Sequence, residues 1–566
     1  MQLAQVLRVP FTTVVSAVLA AAGTVAQSIR VNAPLPREPR SGDVWDDVIE
    51  LEWGRDASRL LYTATDRTSS RLPSLDVYSA DLSRLAVDGL IPVVRLGTGG
   101  GIEVSPAGGW VAFAMGDPCE LFPCTAWLRA APIDGSAPER ILRQLTGTLL
   151  EYRFTADGAH LVHLTEFVWP DAGYYSRALS SVPSDGSSAA VILSVPQGGT
   201  DPGPFVGHFA NAANRRVVFT EAHDGIPHVY SVPVDGGAPV ALEPPGLGPG
   251  ASLRELQLTP DGRTVVFVAY VPEHVMYELF AAPSDGSGPA ARLGPPAAPG
   301  SNLAAGFELD SLGKRAVFVR DRELWSTPVN LARGMVAVRL SAKPVPGGGV
   351  ALEGFEQRAQ FTLAPDASRA VYRAEQDALG RFELFSVPMD GSAIPARLHP
   401  PLAGQQDVAP DAFAIGAGRV VFVADLVVPG MPELFAAPLD GVEPPVRLSA
   451  PFPAGGGLRA PTANLRDAFA LSPDGLTVAY LADQRTAGTI ELFAVPSDGS
   501  RAPRRLNREL VPGGDVCLSL VREPFVFSPD GSLVAYLADQ DVDEIVELFV
   551  SWIDPPHARR APWPLR

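Results

Sequence analysis

Residues 469–506, FALSPDGLTVAYLADQRTAGTIELFAVPSDGSRAPRRL, carry the pattern that decides the fold. Four short segments, FAL, TVAYLA, ELFAV and PRRL, alternate or run apolar, and the turns SPDG and PSDG join them in pairs. In the SPDG turn Pro presets φ for the first turn position, Asp favours the next, and Gly adopts a left-handed conformation. The stretch therefore predicts four short antiparallel strands.

The same unit recurs along the whole chain of 566 residues. An aromatic residue in the second segment marks each unit, except that His163 takes its place in the third: Tyr62, Phe113, Phe219, Phe267, Phe318, Tyr372, Phe422, Tyr480 and Tyr536. Successive markers lie 48 to 58 residues apart, which makes ten units from about residue 43 onward. The pattern predicts an all-β protein, a β-propeller of four-stranded antiparallel blades, with one large ring favoured over two smaller rings.

Three stretches carry a family resemblance: LTPDGRTVVF at 258–267, LSPDGLTVAY at 471–480 and FSPDGSLVAY at 527–536. They resemble the Pro-Asp-Gly blade signature of TolB-type propeller repeats. The resemblance implies the blade fold and says little about function. TolB itself has an α/β domain before its propeller and fewer blades, so its role in an envelope-spanning complex is not expected here. Propeller-bearing serine peptidases are also similar in their blades, but this sequence contains no Gly-x-Ser-x-Gly elbow, which argues against peptidase activity.

The N-terminal sequence MQLAQVLRVPFTTVVSAVLAAAGTVAQS has the layout of a cleaved secretory signal. Arg8 precedes an apolar stretch, and small residues lead to a cleavage site after Ala26. A membrane anchor is the alternative, but the stretch is short and diluted by Thr and Ser. We therefore divide the chain into a signal peptide (1–26), an N-terminal segment (27–42) and β-propeller repeats (43–566), and we expect a periplasmic or secreted protein with no transmembrane span in the mature chain.

Charge and cysteine content limit the partners. The formal net charge of −18 argues against nucleic acid as a partner.

Cys119 and Cys124 stand in a short predicted loop, and in an oxidising compartment we expect a disulfide between them. A pair of metal ligands is the alternative, although no neighbouring His or Cys completes such a site. Cys517 is left over, and we expect it to be buried and inert.

A second regularity links the third and fourth segments. Units 5 to 9 begin the third segment with Glu and carry an Arg in the fourth: Glu278 with Arg292, Glu323 with Arg339, Glu383 with Arg397, Glu433 with Arg447, and Glu491 with Arg505. Units 3 and 4 lack both residues, and unit 2 has Arg140 without the Glu. We predict a weak, solvent-exposed ion pair between residues opposite each other across a hairpin.

The order of strands separates two faces of the ring. The short, uniform turns after the first and third strands lie at one end of each blade. The loops between second and third strands, together with the connectors between blades, lie at the other end and vary. Because binding groups usually stand on variable loops over a rigid scaffold, this variable-loop face is the candidate site. Units 3 to 5 concentrate aromatic residues there, and the ligand-binding candidates are Trp169, Tyr174, Tyr175, His223, His228 and Tyr270. The alternative is that these residues pack blade edges.

Acidic residues gather on the same face. In unit 10 the sequence DQDVDE places Asp539, Asp541 and Asp543 at alternate positions, a spacing that can present three oxygens to calcium. Against a calcium site, Glu544 stands where a Gly normally permits the sharp turn. The alternative is a solvated acidic loop. No other cofactor is expected.

These observations predict an exported, non-enzymatic β-propeller that binds a protein, peptide or glycan partner on its variable-loop face. One alternative is a polysaccharide lyase or glycosidase, which would need convergent carboxylates or a His–Tyr set in the central channel. Another is a structural envelope scaffold.

Overall fold

The chain forms ten small antiparallel sheets in a ring, which confirms the predicted ten-bladed β-propeller. The computed structural model describes residues 28–31, 48–66, 74–83, 85, 91–116, 125–169, 174–194, 205–212, 215–223, 226–244, 247–295, 300–301, 303–329, 336–354, 357–462, 464–516, 524–543 and 545–554. A short 3-10 turn lies at Leu465–Ala468. Within the described residues no helix is long and apolar enough to cross a membrane.

We number the blades along the chain and call their strands first to fourth. Blade 1 contains Val48–Trp53, Arg59–Asp66, Ser74–Asp81 and Val93–Thr98. Blade 2 contains Gly100–Val104, Trp110–Gly116, Thr125–Pro132 and Arg140–Thr146. Blade 3 contains Thr148–Phe154, His160–Trp169, Tyr174–Pro183 and Val191–Ile192. Blade 4 contains Phe205–Ala212, Arg216–His223, Ile226–Pro233 and Val240–Ala241. Blade 5 contains Ser252–Leu258, Thr264–Val271, Met276–Pro283 and Ala291–Leu293.

The second half of the ring follows the same plan. Blade 6 contains Leu303–Leu309, Arg315–Arg320, Glu323–Pro328 and Val338–Arg339. Blade 7 contains Phe361–Leu363, Arg369–Glu375, Glu383–Pro388 and Ala396–Arg397, preceded by the short strands Gly349–Val350, Leu352–Glu353 and Arg358–Ala359. Blade 8 contains Val408–Gly416, Arg419–Ala424, Glu433–Pro438 and Val446–Arg447. Blade 9 contains Phe469–Leu471, Thr477–Ala482, Glu491–Pro496 and Arg504–Arg505. Blade 10 contains Phe525–Phe527, Leu533–Ala538, Glu547–Trp552 and Ser28–Arg30.

The core lies between neighbouring blades, where the marker residues of the second strands are buried. In blades 1, 4, 5, 7, 8, 9 and 10 the marker ring pairs with an aromatic ring of the third strand, at centroid separations from 5.2 to 5.9 Å. Each such pair contributes about 0.5–1.5 kcal/mol beyond the area it buries. The repeated aromatic residue is therefore the main packing element of the blade.

Blade 3 departs from this packing. His163 takes the marker position, lies opposite Ser180, and is fully buried. Its Nδ1 lies 3.2 Å from the hydroxyl of Thr165. Burial, followed by the charge of Arg143, lowers the pKa of His163 to about 3, so the ring is neutral at physiological pH.

The Pro-x-Asp-Gly turns have the predicted geometry. In blade 9 the N–H of Gly499 donates to the carbonyl of Pro496 at 2.9 Å, and Gly499 has a φ of +68°. Asp498 accepts the N–H of Ser500 at 2.9 Å, and hydrogen bonds from Ser500 hold the pKa of Asp498 below its usual range. The same contacts recur in blades 2, 3, 5 and 7, so this face of the ring is built from closely similar turns.

The ring closes in blade 10 through its N-terminal strand. Ser28–Arg30 pairs antiparallel with Glu547–Trp552 and supplies the fourth strand of the blade. Arg30 lies opposite Phe549 and binds Glu547 at 3.1 Å. Val31 is buried against the same blade. The repeats therefore include residues 28–30, which the sequence-derived boundary at residue 43 leaves out.

The five predicted Glu–Arg pairs are all formed, with N–O distances from 2.8 to 3.5 Å. Two more complete the series, Asp76 with Arg95 in blade 1 and Glu547 with Arg30 in blade 10. The predicted register is wrong, because the Arg lies opposite the aromatic residue two positions after the Glu, as Arg505 lies opposite Phe493. Side chains two residues apart on a strand share a face, which brings the charges together diagonally.

The prediction that these pairs are solvent-exposed is also wrong for the acidic partner in four of the five pairs, whereas the side chain of Glu323 is 25% exposed. The side chain of Glu491 is 4% exposed and that of Arg505 is 20% exposed. Glu278, Glu383 and Glu433 are equally buried. Burial is the main cause that raises the pKa of Glu433, and Arg447 opposes it. The carboxylate is buried in the blade, and the guanidinium that pairs with it belongs to a partly exposed side chain.

Candidate functional site

The structure places the predicted binding residues of blade 3 at the tip of one long hairpin. Trp169 pairs with Tyr174, and Val168 with Tyr175, at the end where the second strand passes to the third. His223 occupies the corresponding end in blade 4, opposite Ile226. The topology therefore places these four of the six predicted residues, Trp169, Tyr174, Tyr175 and His223, on the variable-loop face. Their side chains lie outside what the structure describes, so their role stays a prediction.

In blade 4 His228 and Glu243 form a pair in which the basic residue lies on the third strand and the acidic residue follows the fourth. His228 occupies the strand position that Glu holds in other blades, and its Nδ1 lies 2.8 Å from Oε1 of Glu243. The second oxygen of Glu243 accepts the N–H of Val229 at 3.1 Å. The ring of His228 also stacks on Tyr230, with centroids 5.6 Å apart. This part-buried arrangement links a strand to the following connector.

Tyr270 belongs to a half-buried cluster at the loop end of blade 5. Its ring lies 5.2 Å from that of Tyr277, at an interplanar angle of 60°. The guanidinium of Arg254 lies 3.9 Å from the centroid of Tyr277, and the hydroxyl of Ser252 lies 3.4 Å from the Tyr277 hydroxyl. The cluster combines two aromatic faces, a cation and hydroxyl groups. Such groups can stack on a flat ligand and bond its polar edge.

Acidic residues on the same face hold loops in place. In blades 7 to 9 the residue three positions after the marker accepts the N–H of a Gly five residues later, at 2.7 to 2.8 Å: Glu375 from Gly380, Asp425 from Gly430, and Asp483 from Gly488. Asp483 also binds Arg459 at 2.6 Å. These carboxylates fix the shape of the loops between second and third strands.

The three predicted calcium ligands of blade 10 have separate partners. Asp539 accepts the N–H of Asp515, Asp541 pairs with Arg508 and Arg30, and the carboxylate of Asp543 lies beside Gly513. No three His, Cys, Asp or Glu side chains form a metal-holding group in the described part of the chain. Calcium binding stays a prediction.

Cys119, Cys124 and Cys517 lie outside the described residues, so the predicted disulfide and the predicted burial of Cys517 stay predictions.

A groove that the sequence did not indicate lies along the inner side of blades 6 to 9. Its volume is about 310 Å³, and its wall comes mainly from first strands and the segments that lead into them. The charged residues of the wall are Glu308, Arg358, Asp411 and Arg466, and the aromatic residues are Phe307, Phe361, Phe413 and Phe469. The four aromatic residues occupy equivalent positions, each paired with the marker of its own second strand.

Glu308 is an acid of this groove whose pKa is raised above its usual value. Burial raises the pKa of Glu308 to about 7, against the lowering effects of the Leu363 N–H and of the charges of Arg358 and Arg466. The contact with Leu363 joins blade 6 to blade 7. Glu255 makes a similar link from blade 5, accepting the N–H groups of Gly306 and Phe307 at 2.6 and 3.2 Å.

Comparisons with known proteins found similar solved structures only at low sequence identity. No protein-family model and no curated protein matches the chain. Among solved structures, it is similar to Porphyromonas gingivalis dipeptidyl peptidase 4, with 13% identity over 77% of this chain and 56% of the peptidase and a TM-score of 0.41. An oligogalacturonate lyase in complex with manganese shows 13% identity over 64% and 97%, with a TM-score of 0.33. TolB from Acinetobacter baumannii shows 14% identity over 59% and 78%, with a TM-score of 0.27.

The ten four-stranded sheets of the chain itself define its class, which is that of the β-propeller proteins. The chain spans about half the length of the peptidase it matches. At these identities the neighbours do not show that it belongs to the TolB-type family, and they include both enzymes and a protein that is not named as one.

Proposed function

We propose that the protein is a non-enzymatic binding propeller that holds a polypeptide or glycan partner on its variable-loop face. The observation that carries this proposal is the cluster of Tyr270, Tyr277 and Arg254 at the loop end of blade 5. Tyr and Arg are the residues that most often dominate binding energy at interfaces, because they offer large contact areas with few rotamers to order.

The contrast between the two faces supports the choice of surface. The turn face repeats one hydrogen-bonded motif, in which Asp and Gly are used to close the turn itself. The variable-loop face differs from blade to blade, and the acids of blades 7 to 9 keep its loops in fixed shapes. A partner that meets ordered loops loses less of its binding free energy to ordering them.

Glycan and peptide arrays on the purified protein test the proposal and identify the class of partner. Tyr277→Ala should weaken binding of any selected ligand by roughly tenfold or more, as expected of an aromatic anchor. The matched control is Leu476→Ala, which removes an exposed apolar side chain (59% exposed) from the opposite face. Equal loss in both variants, or no ligand on either array, would contradict the proposal.

We also propose that the protein is exported and cleaved after Ala26, which would leave Ser28–Arg30 directly behind the new N-terminus. The Cys119–Cys124 disulfide belongs to the same proposal. Intact-mass measurement of the exported protein, with and without reduction and thiol labelling, tests both parts. Retention of Met1, or two free thiols at these positions, would contradict it.

A further inference from the structure

The groove inside blades 6 to 9 has the composition of an anion site. Arg358 and Arg466 both line it, and both guanidinium groups are exposed. Among the residues that the structure describes, neither guanidinium has an ion-pair partner or a hydrogen bond. Most Arg side chains elsewhere on the inner and outer strands do, as Arg153 does with Glu151 and Arg373 with Asp407. The wall of the groove thus presents two guanidinium groups for which the described residues supply no partner.

The acidic residues of the groove do not neutralise this charge fully. Asp411 interacts with Glu353, whose pKa is raised first by burial and then by the charge of Asp411 and a hydrogen bond with it. Glu308 has a pKa of about 7 and is thus partly protonated at neutral pH. The groove is locally cationic although the whole protein carries a net charge of −18.

We propose that this groove binds a small organic carboxylate with an apolar body. The planar guanidinium groups of Arg358 and Arg466 match a carboxylate through paired N–H donors. Phe361, Phe413 and Ile415 provide the apolar wall beside them. The volume of about 310 Å³ lies at the lower end of the range for small-molecule sites, which suits one aromatic or branched acid and excludes a large ligand.

Glu308 adds a proton-dependent contact. In its neutral form the carboxyl group can donate one hydrogen bond to the ligand carboxylate, whereas in its ionised form it repels the ligand. The charged or polar groups that face it are the Leu363 N–H and Arg358 from blade 7 and Arg466 from the turn before blade 9. From blade 5, Glu255 and Gln257 bond the backbone of Gly306 and Phe307. Binding should therefore be tighter at pH 6 than at pH 8.

This site is separate from the variable-loop face, so its test is independent of the proposed function. Calorimetry with 3-phenylpropionate represents a free acid, and N-acetyl-phenylalanine represents the end of a peptide. The corresponding amides are the uncharged controls. We expect the acids to bind at least tenfold more tightly than their amides, and the better of the two acids indicates the source of the carboxylate.

Variants separate a built site from general attraction of anions. Arg358→Ala and Arg466→Ala should each weaken binding of the acids by about tenfold. Arg501→Ala, which removes a cation that is 73% exposed and lies outside the groove, should change nothing. Glu308→Gln should keep binding at pH 6 and remove its decrease at pH 8. Equal binding of acids and amides, no binding of either acid, or equal effects of all three Arg variants would overturn the proposal.

Discussion

Closure of the ring by Ser28–Arg30 leads to the sharpest prediction. Arg30 is the only cation of the seven equivalent Glu–Arg and Asp–Arg pairs described here that reaches its partner from the other end of the chain. The change Arg30→Ala removes its contacts with Glu547 at 3.1 Å and with Asp541 at 3.4 Å. The Glu547 side chain is 4% exposed, so the change removes the cation beside a buried acid.

The burial of Glu547 sets the expected loss of unfolding free energy in the Arg30→Ala variant. Hydrogen bonds to charged groups contribute about 1.5–3 kcal/mol, and removal of a cation beside a buried acid leaves part of the desolvation cost of the acid uncompensated. Because Arg30 itself is 27% exposed, solvent replaces part of the lost interaction. We expect Arg30→Ala to lower the free energy of unfolding by about 2 kcal/mol. Val31→Ala, which removes buried apolar volume from the same strand, should cost about 1–2 kcal/mol.

Arg447→Ala in blade 8 is the matched control. Its pair with Glu433 has the same geometry at 3.1 Å, but its fourth strand continues covalently into the next blade. Urea unfolding should give similar losses for both variants. Native-state hydrogen exchange should differ, since only Arg30→Ala lets Ser28–Arg30 detach and exposes the edge of Glu547–Trp552. Unchanged exchange in blade 10 would refute the reasoning about closure.

Three further predictions concern single groups. A double-mutant cycle on Glu491 and Arg505 should return a coupling of about 1.5–3 kcal/mol, because the acid is buried, and a value below 0.5 would show that solvent screens the pair. Glu308→Gln should raise the melting temperature more at pH 8 than at pH 5. The folded state raises the pKa of Glu308 to about 7, so the cost of ionising it is absent below its unfolded pKa and complete above pH 7; an equal shift at both pH values would contradict this. Tyr480→Phe should cost about 1 kcal/mol in thermal unfolding through loss of its 2.7 Å bond to Gln484, and no loss would show that the hydroxyl is dispensable.

The blade could be predicted from sequence because its determinants are local and repeated. Pro496, Asp498 and Gly499 specify one turn through contacts within five residues, and the markers recur at a nearly constant spacing. Chemical detail inside the blade also repeats. Tyr372, Tyr480 and Tyr536 each bond a Gln four residues later, while Phe422, which has no hydroxyl, is followed by Leu426.

Burial and long-range contacts were not predictable in the same way. The sequence shows that Glu491 and Arg505 occur together, but only the packing of the next blade decides how much water reaches the acid. The closing strand was missed although SIRV at 28–31 resembles the fourth segments of other blades, because it stands more than 500 residues from its partner. The groove required the inner edges of four blades to be placed side by side, which no single repeat shows.

The closure in blade 10 also implies that the chain can be circularly permuted, because the N-terminal and C-terminal strands are paired in one sheet. Ser28 pairs with Ser551, so the two ends of the folded region are neighbours on one strand edge. A short linker would join them, and new ends could be cut at the tight turn that ends at Gly441, whose backbone N–H bonds Pro438 within the same hairpin. Such a circular permutant would keep every blade contact and move the noncovalent seam from blade 10 to blade 8.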